Sequence, residues 1–227
     1  MRSPPTPATG DAPRPLRRDA ERNRLRILDA ASEVFAARGL GATMDHVAAQ
    51  AGVGVGTVYR RFPDKETLIQ ALFEQRIEEL VGLAHDAHAN PDPWEGLAGF
   101  LERVNELQAA DRGLKELMLG TANGRACVAL ARERLAPITH DLIARAQAAG
   151  ALRPDIGEND IPMLNMMLGA IVDFTRDVAP DLWRRYLGIV LDGLRARPDV
   201  PPLEPAALGE RPLEDAMTNW RPGRPGR

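Results

Sequence analysis

Residues 43–65 read Thr43-Met44-Asp45-His46-Val47-Ala48-Ala49-Gln50-Ala51-Gly52-Val53-Gly54-Val55-Gly56-Thr57-Val58-Tyr59-Arg60-Arg61-Phe62-Pro63-Asp64-Lys65. Helical spacing predicts two short helices here, over Thr43 to Ala51 and over Gly54 to Phe62. Val47, Ala51, Val53 and Val58 fall on their inner faces, and Ala48 is small enough for the helices to cross closely at it. Gly52 stands where the turn between them demands a positive φ, which costs glycine least. Thr43 is placed to cap the first helix. Pro63-Asp64 breaks the chain, with Asp64 as the expected N-cap of a long helix from Lys65 to about His85. The pattern is that of a helix-turn-helix.

The outer residues of the second helix then define a candidate DNA surface: Gly54, Val55, Gly56, Thr57, Tyr59, Arg60 and Arg61. Small side chains at 54–57 let a helix backbone approach base edges in the major groove. Thr57 and Tyr59 bring hydroxyls to phosphate or base. Lys65 lies in the first turn of the next helix, where unpaired backbone N–H groups favour a phosphate.

Outward from this stretch the helical period persists. A helix is expected from Asp19 to Arg38, its stripe formed by Ile27, Leu28, Ala31, Val34 and Phe35 and its end set by Gly39. After the turn signal Asn90-Pro91-Asp92-Pro93 come expected helices over Trp94–Ala110, Asp111–Met118, Arg125–Ala149 with Pro137 inside, Asp160–Val178 and Pro180–Ala196. Sustained strand-like alternation is missing. The expected fold class is all-α with about nine helices. Residues 1–18 are read as a disordered basic arm, 19–65 as the DNA-binding head, 66–197 as a larger helical body, and 198–227 as a disordered Pro/Arg-rich tail.

Charge follows the same division. Residues 1–65 carry a balance of +4 and residues 66–227 a balance of −7. A basic front on an acidic body suits one end meeting phosphate. One cysteine rules out an intrachain disulfide framework. The start of the chain has no apolar stretch resembling a secretory signal, and no run is long enough for a bilayer, so a cytoplasmic location without membrane contact is expected. No nucleophile–base pair, phosphate-cradling glycine loop or metal cluster suggests itself, so no catalytic residue, metal or cofactor is assigned. His85 and His88 are three apart, but no third ligand accompanies them. The competing readings are a metabolic enzyme with an incidental helical head, and an architectural DNA binder without an effector.

The run from Thr43 to Leu68, with Ile27-Leu28-Asp29-Ala30-Ala31 and Phe35-Ala36-Ala37-Arg38-Gly39 before it, resembles the DNA-binding signature of TetR-family regulators. The resemblance is specific over about residues 20–72 and architectural beyond them. It implies that Thr43, Tyr59 and Lys65 grip phosphates while Val55, Gly56 and Thr57 face bases. Gly54 replaces a commoner Ser, and Arg61 a commoner His or aromatic residue. Arg17 and Arg18, with Arg14, are read either as an arm that reaches a groove or as a solvated tail.

The same resemblance implies a ligand-responsive regulator, a homodimer on double-stranded, palindromic operator DNA, released as a repressor by a small, mainly hydrophobic effector. The inward-facing candidates for that effector are Trp94, Phe100, Leu101, Val104, Met118, Cys127, His140, Met163, Met166 and Phe174. Asn105, Asn123, Asn165 and Asp173 are polar residues on apolar stretches, of which one or two are candidates to orient it. The last two helices are expected to pair across a twofold axis through Leu164, Leu168, Ile171, Trp183, Tyr186, Leu187, Val190 and Leu194.

Overall fold

The structure is a computed structural model that describes residues 14–110 and 124–219. Among them are nine α-helices: α1 (Arg14–Arg38), α2 (Met44–Ala51), α3 (Val55–Arg61), α4 (Lys65–Ala89), α5 (Pro93–Ala110), α6 (Gly124–Ala148), α7 (Asp160–Thr175), α8 (Trp183–Leu194) and α9 (Glu210–Asn219). The only extended pairing among the described residues is an isolated antiparallel bridge between Leu152 and Arg195. The all-α expectation holds, although α9 falls in a stretch expected to be disordered; the expected helix over 111–118 lies outside the described residues.

Two apolar cores organise the helices. The first joins Ile27, Leu28, Val34 and Phe35 of α1 to Val47, Ala48 and Val58, and continues along α4 through Leu68, Leu72 and Ile77. The second begins on α4 at Ala84 and gathers Trp94, Leu97, Phe100 and Leu101 of α5, Leu142 and Ile143 of α6, Leu168 and Val172 of α7, and Trp183, Leu187 and Leu194 of α8. Helix α4 therefore belongs to both. The domain boundary expected between 65 and 66 cuts a continuous helix whose first half completes the head.

Local chemistry fixes the α4–α5 corner. Asn90 Oδ1 accepts from the Asp92 N–H at 3.0 Å, and Asp92 Oδ1 accepts from the N–H groups of Trp94 and Glu95 at 2.8 and 3.1 Å. Arg145 of α6 donates to the carbonyls of His88 and Asn90, closing the carbonyl end of α4 with a cation, as the helix dipole favours. Gly96 is required, because a Cβ there would lie 2.4 Å from the Ala87 carbonyl oxygen.

The termini depart from expectation. Helix α1 begins at Arg14, so residues 14–18 extend it rather than forming part of an arm. The tail does not separate from the body over residues 201–213. Arg153 and Asp155 form a two-pronged ion pair at 2.9 and 2.7 Å. Arg153 also donates to the Pro201 carbonyl at 2.8 Å, and Asp155 accepts from the Leu203 N–H at 2.6 Å. Further along, Asn159 donates to the Leu208 carbonyl at 2.8 Å, and Leu213 is buried. A Pro-rich composition marks this segment as unable to build a core of its own. It has none, but it borrows the α6–α7 loop.

Candidate nucleic-acid interface and effector site

The head is assembled by short-range devices. Thr43 Oγ1 accepts from the His46 N–H at 3.3 Å, while His46 Nδ1 accepts from the Thr43 N–H at 3.2 Å. This is a reciprocal capping box with His in the place where Glu or Gln is usual. Gly52 ends α2 with φ +64, the left-handed conformation expected of the turn. The α2 carbonyl end is held by Arg26 of α1, whose guanidinium donates to the Ala51 carbonyl at 2.7 Å. Val47, Ala48, Ala51 and Val58 are buried, so α3 is fixed by its inner face.

That fixation leaves the outer face of α3 open. Gly54, Val55, Gly56, Tyr59, Arg60 and Arg61 are exposed and Thr57 is half-buried. Tyr59 and Val55, large apolar side chains that would normally be covered, are 47% and 41% exposed. Arg61 reaches back to Glu21 of α1 at 3.4 Å, an exposed pair of the weak kind. Gly54 caps α3 without a side-chain bond.

Lys65 begins α4 as expected, and its ammonium stands 5.6 Å from the Phe35 ring centroid. The N-terminus of α4 already holds an anion: Asp64 Oδ1 accepts from the Thr67 N–H at 2.7 Å. Hydrogen bonds from the Thr67 hydroxyl and N–H keep the Asp64 carboxyl below its ordinary pKa. The Thr67 N–H at this helix end is therefore occupied by the chain's own carboxylate. Arg18 is exposed on the first turns of α1, while the side chain of Arg17 lies outside the described residues.

The body redistributes the expected roles. Trp94, Phe100, Leu101 and Val104 are buried in its core, and Met163 is half-buried. His140 points outward, its side chain 66% exposed and 3.5 Å from Glu158. Met166 and Phe174 also face outward, at 43% and 89% exposure. These three do not line an interior pocket. Met118 and the Cys127 side chain lie outside the described residues.

The expected subunit contacts shift in the opposite sense. Leu168, Trp183, Leu187 and Leu194 are 0–5% exposed inside this chain's own core, and Leu164, Ile171 and Val190 pack partly against it. Of that set only Tyr186 is exposed. The physical reason lies in α7, which is apolar nearly all round. Its stripes are equivalent in composition, and packing against α5 selects Leu168 and Val172 for the core. The stripe of Met166, Met167, Ala170 and Phe174 is left outside, continued by Val178 after the helix and by Tyr186 and Ile189 on α8.

A cavity of about 300 Å³ opens where α5, α7 and α8 meet. Ala109, Val172 and Trp183 give it apolar walls, and Glu106, Arg176, Asp181 and Arg184 a charged rim. Arg184 organises that rim, bonding Glu102 and Glu106 at 2.7 Å each and lying 4.5 Å over the Trp183 ring. Its hydrogen bond lowers the pKa of Glu106, and Glu106 raises that of Arg184. One turn before Ala109 on α5, Asn105 is fully buried. Its Nδ2 donates to the Leu101 carbonyl at 2.8 Å and to Asn165 Oδ1 at 3.1 Å, and its Oδ1 has no partner. Of the four polar candidates Asn105, Asn123, Asn165 and Asp173, the structure joins Asn105 to Asn165 and leaves Asp173 exposed, while Asn123 lies outside the described residues. The rim escapes sequence reasoning because Glu102, Glu106 and Arg184 look like solvated charges.

Comparison with known proteins agrees with this architecture. Residues 27–72 match the family described as bacterial regulatory proteins, tetR family, and residues 92–196 match the C-terminal domain of SbtR-like transcriptional regulators. The TetR transcription regulatory protein from Mycobacterium vanbaalenii is 36% identical, with a TM-score of 0.64 over 80% of this chain and 99% of that one. SCO0520 from Streptomyces coelicolor is 31% identical, with a TM-score of 0.61 over 76% of this chain and 98% of that one. Among curated proteins, the transcriptional repressor Rv1474c of Mycobacterium tuberculosis is 29% identical over 184 residues, 77% of this chain and 81% of that protein. SrpR of Pseudomonas putida is 48% identical, but over 59 residues that cover 26% of this chain and 28% of SrpR. The chain belongs to the TetR family of transcriptional regulators; it is a DNA-binding regulator and not an enzyme.

Proposed function

We propose that this chain is a ligand-responsive repressor that binds a palindromic operator as a homodimer in the cytoplasm. The observation that carries the DNA half is the outward face of α3, with Val55, Gly56 and Tyr59 exposed while Val58 beneath them is fully buried. Support for repression comes from Rv1474c, which is described as a repressor. Among the described residues no helix is long and apolar enough to cross a membrane.

The homodimer reading rests on a different face from the one the sequence suggests. Met167, Ala170 and Phe174 of α7, with Tyr186 and Ile189 of α8, form an exposed apolar stripe on two adjacent helices. Paired with the same stripe of a second copy, it gives a four-helix contact across a twofold axis.

For the effector, the cavity at the α5–α7–α8 junction is the site favoured by geometry. Its volume of about 300 Å³ suits a small molecule, with an apolar part against Val172 and Trp183. The solved structure of FadR from Bacillus subtilis, 20% identical, is of a complex with stearoyl-CoA. It shows the fold in that complex, and this chain's effector is to be sought from its own cavity.

Selection of bound fragments from a random DNA pool tests the reading. The expected product is a pair of inverted half-sites about one helical turn apart. Recovery of unrelated sequences would leave an architectural DNA binder instead.

A further inference from the structure

A second cavity, of about 420 Å³, lies between Leu28, Asp29, Ser32 and Phe35 of α1 and Leu72, Gln75, Arg76 and Glu79 of α4. We infer that it is a binding site for a small primary alkylammonium ion, separate from the effector cavity of the body.

The walls set the chemistry. Leu28, Phe35 and Leu72 are buried members of the head core and present an apolar floor. Asp29, Ser32 and Gln75 add a carboxylate, a hydroxyl and a carboxamide to the lining. Gln75 Oε1 is a buried acceptor with no hydrogen-bond partner. Folding takes such an oxygen from water and returns nothing unless a donor arrives. The terminal torsion of a Gln side chain is soft, so a rotation of the amide alone, without movement of α4, is enough to present the buried Oε1 to a donor in the cavity.

Charge decides the sign of the ligand. Arg76 is engaged with Glu79 at 2.6 Å, which cancels one carboxylate and leaves that of Asp29 at the rim. The ligand needs N–H donors, a positive charge and a short hydrocarbon stem, which describes an alkylammonium ion. A bare divalent cation fits worse. Among the described residues only Asp29 and Glu79 supply carboxylates to the cavity, Glu79 is already paired, and Leu28, Phe35 and Leu72 make part of the wall hydrocarbon.

The position gives the site a consequence. Helix α1 belongs to the head, and α4 runs from the head core into the body core. A ligand holding Asp29 and Gln75 together ties the head to the helix that carries it.

The test titrates hexylammonium chloride into the full-length protein at fixed ionic strength and follows the thermal midpoint. Hexanol, hexanoate and magnesium chloride are matched arms. A saturable rise with hexylammonium and none with the other three is expected. Asp29→Asn should weaken that response at least about tenfold, as removal of one close charge pair would. Gln75→Leu should abolish it while raising the midpoint of the ligand-free protein, because an unpaired acceptor has been removed. An equal response to hexanol or magnesium overturns the assignment, as does an unchanged response in Asp29→Asn. A lower ligand-free midpoint in Gln75→Leu would show that Oε1 is already satisfied and would overturn it as well.

Discussion

The head and the body of this chain carry equally strong helical patterns, yet the structure treats what those patterns imply differently. In the head, Thr43 caps, Gly52 turns, Val58 goes in and Tyr59 stays out, each as the residues require. In the body, the pattern assigns Leu168, Leu187 and Trp183 to a subunit contact and they are core, while Met166 and Phe174, assigned inward, face out. The difference is one of range. Head positions are decided by interactions a few residues long: a cap, a left-handed glycine, a three-residue turn. Body positions are decided by which stripe of an all-apolar helix meets a partner far along the chain, as Asn165 meets Asn105.

The largest effect that would break this comparison comes from one substitution on each of α8 and α7. Leu187 is 4% exposed, so Leu187→Glu buries a charge and should destabilise the chain by about 3–5 kcal/mol, with DNA binding abolished through unfolding. Phe174 is 89% exposed, so Phe174→Glu should leave the monomer fold within about 0.5 kcal/mol of the parent. It should nevertheless shift the protein from dimer to monomer in sedimentation at micromolar concentration. If Leu187→Glu folds and dissociates while Phe174→Glu stays dimeric, the stripe suggested by sequence is the subunit contact, and α7 and α8 are turned the other way.

How much is legible in the sequence follows the same division of range. The helix-turn-helix, its cap, its turn and its exposed face can be read because each depends on residue type at fixed spacing. His46 as the capping partner escapes that reading, because Glu or Gln is the usual signal there. Arg26 on Ala51 and Arg145 on Asn90 are invisible, since a guanidinium that closes a distant helix end looks like any surface charge in sequence. The tail misleads for a related reason. Its anchors are not an apolar stripe but polar groups of the body, the Arg153–Asp155 ion pair and Asn159, with one buried side chain, Leu213, beyond them.

That ion pair gives a prediction of intermediate size. The Arg153 guanidinium and the Leu203 N–H hold the Asp155 carboxyl far below the usual carboxylate range. A depressed folded-state pKa adds stability above the unfolded pKa of about 4, and that stability is lost as pH falls below it. Asp155→Asn should therefore cost about 2 kcal/mol at pH 7, the scale of charge-assisted hydrogen bonds. The deficit relative to the parent should shrink as pH falls from about 5 to about 3. Urea midpoints across that range measure it, and amide exchange should show residues 200–208 opening in the variant. A deficit that is constant with pH would mean that Asp155 acts through shape and not through charge. A tail that remains protected in the variant would return its anchoring to Leu213.

The smallest effect sharpens the head's side of the comparison by separating two residues on neighbouring helices. Thr57 is half-buried on the face of α3 that the core leaves open, and Lys65 starts the next helix with its ammonium near Phe35. Thr57→Val keeps shape and removes a hydroxyl. If Thr57 reads a base, the change should alter preference among related operators by about 1 kcal/mol for one good base pairing, with the salt slope unmoved because no charge is removed. Lys65→Ala removes a charge and should weaken specific and random duplexes by similar factors. It should also flatten log K against log salt by about 0.9 for each phosphate no longer neutralised. The position of Asp64 makes this a sharper question than sequence alone poses. Its carboxylate already occupies the α4 N-terminus, so the Thr67 amide there is not free to hold the phosphate in the lysine's place. Asp64→Asn should then strengthen binding to both duplexes, more at low salt than at high, if Lys65 meets a phosphate at this end. No change in Asp64→Asn, with no change in slope for Lys65→Ala, would place the phosphate grip elsewhere on the head, with Arg60 the next exposed cation on α3 to test.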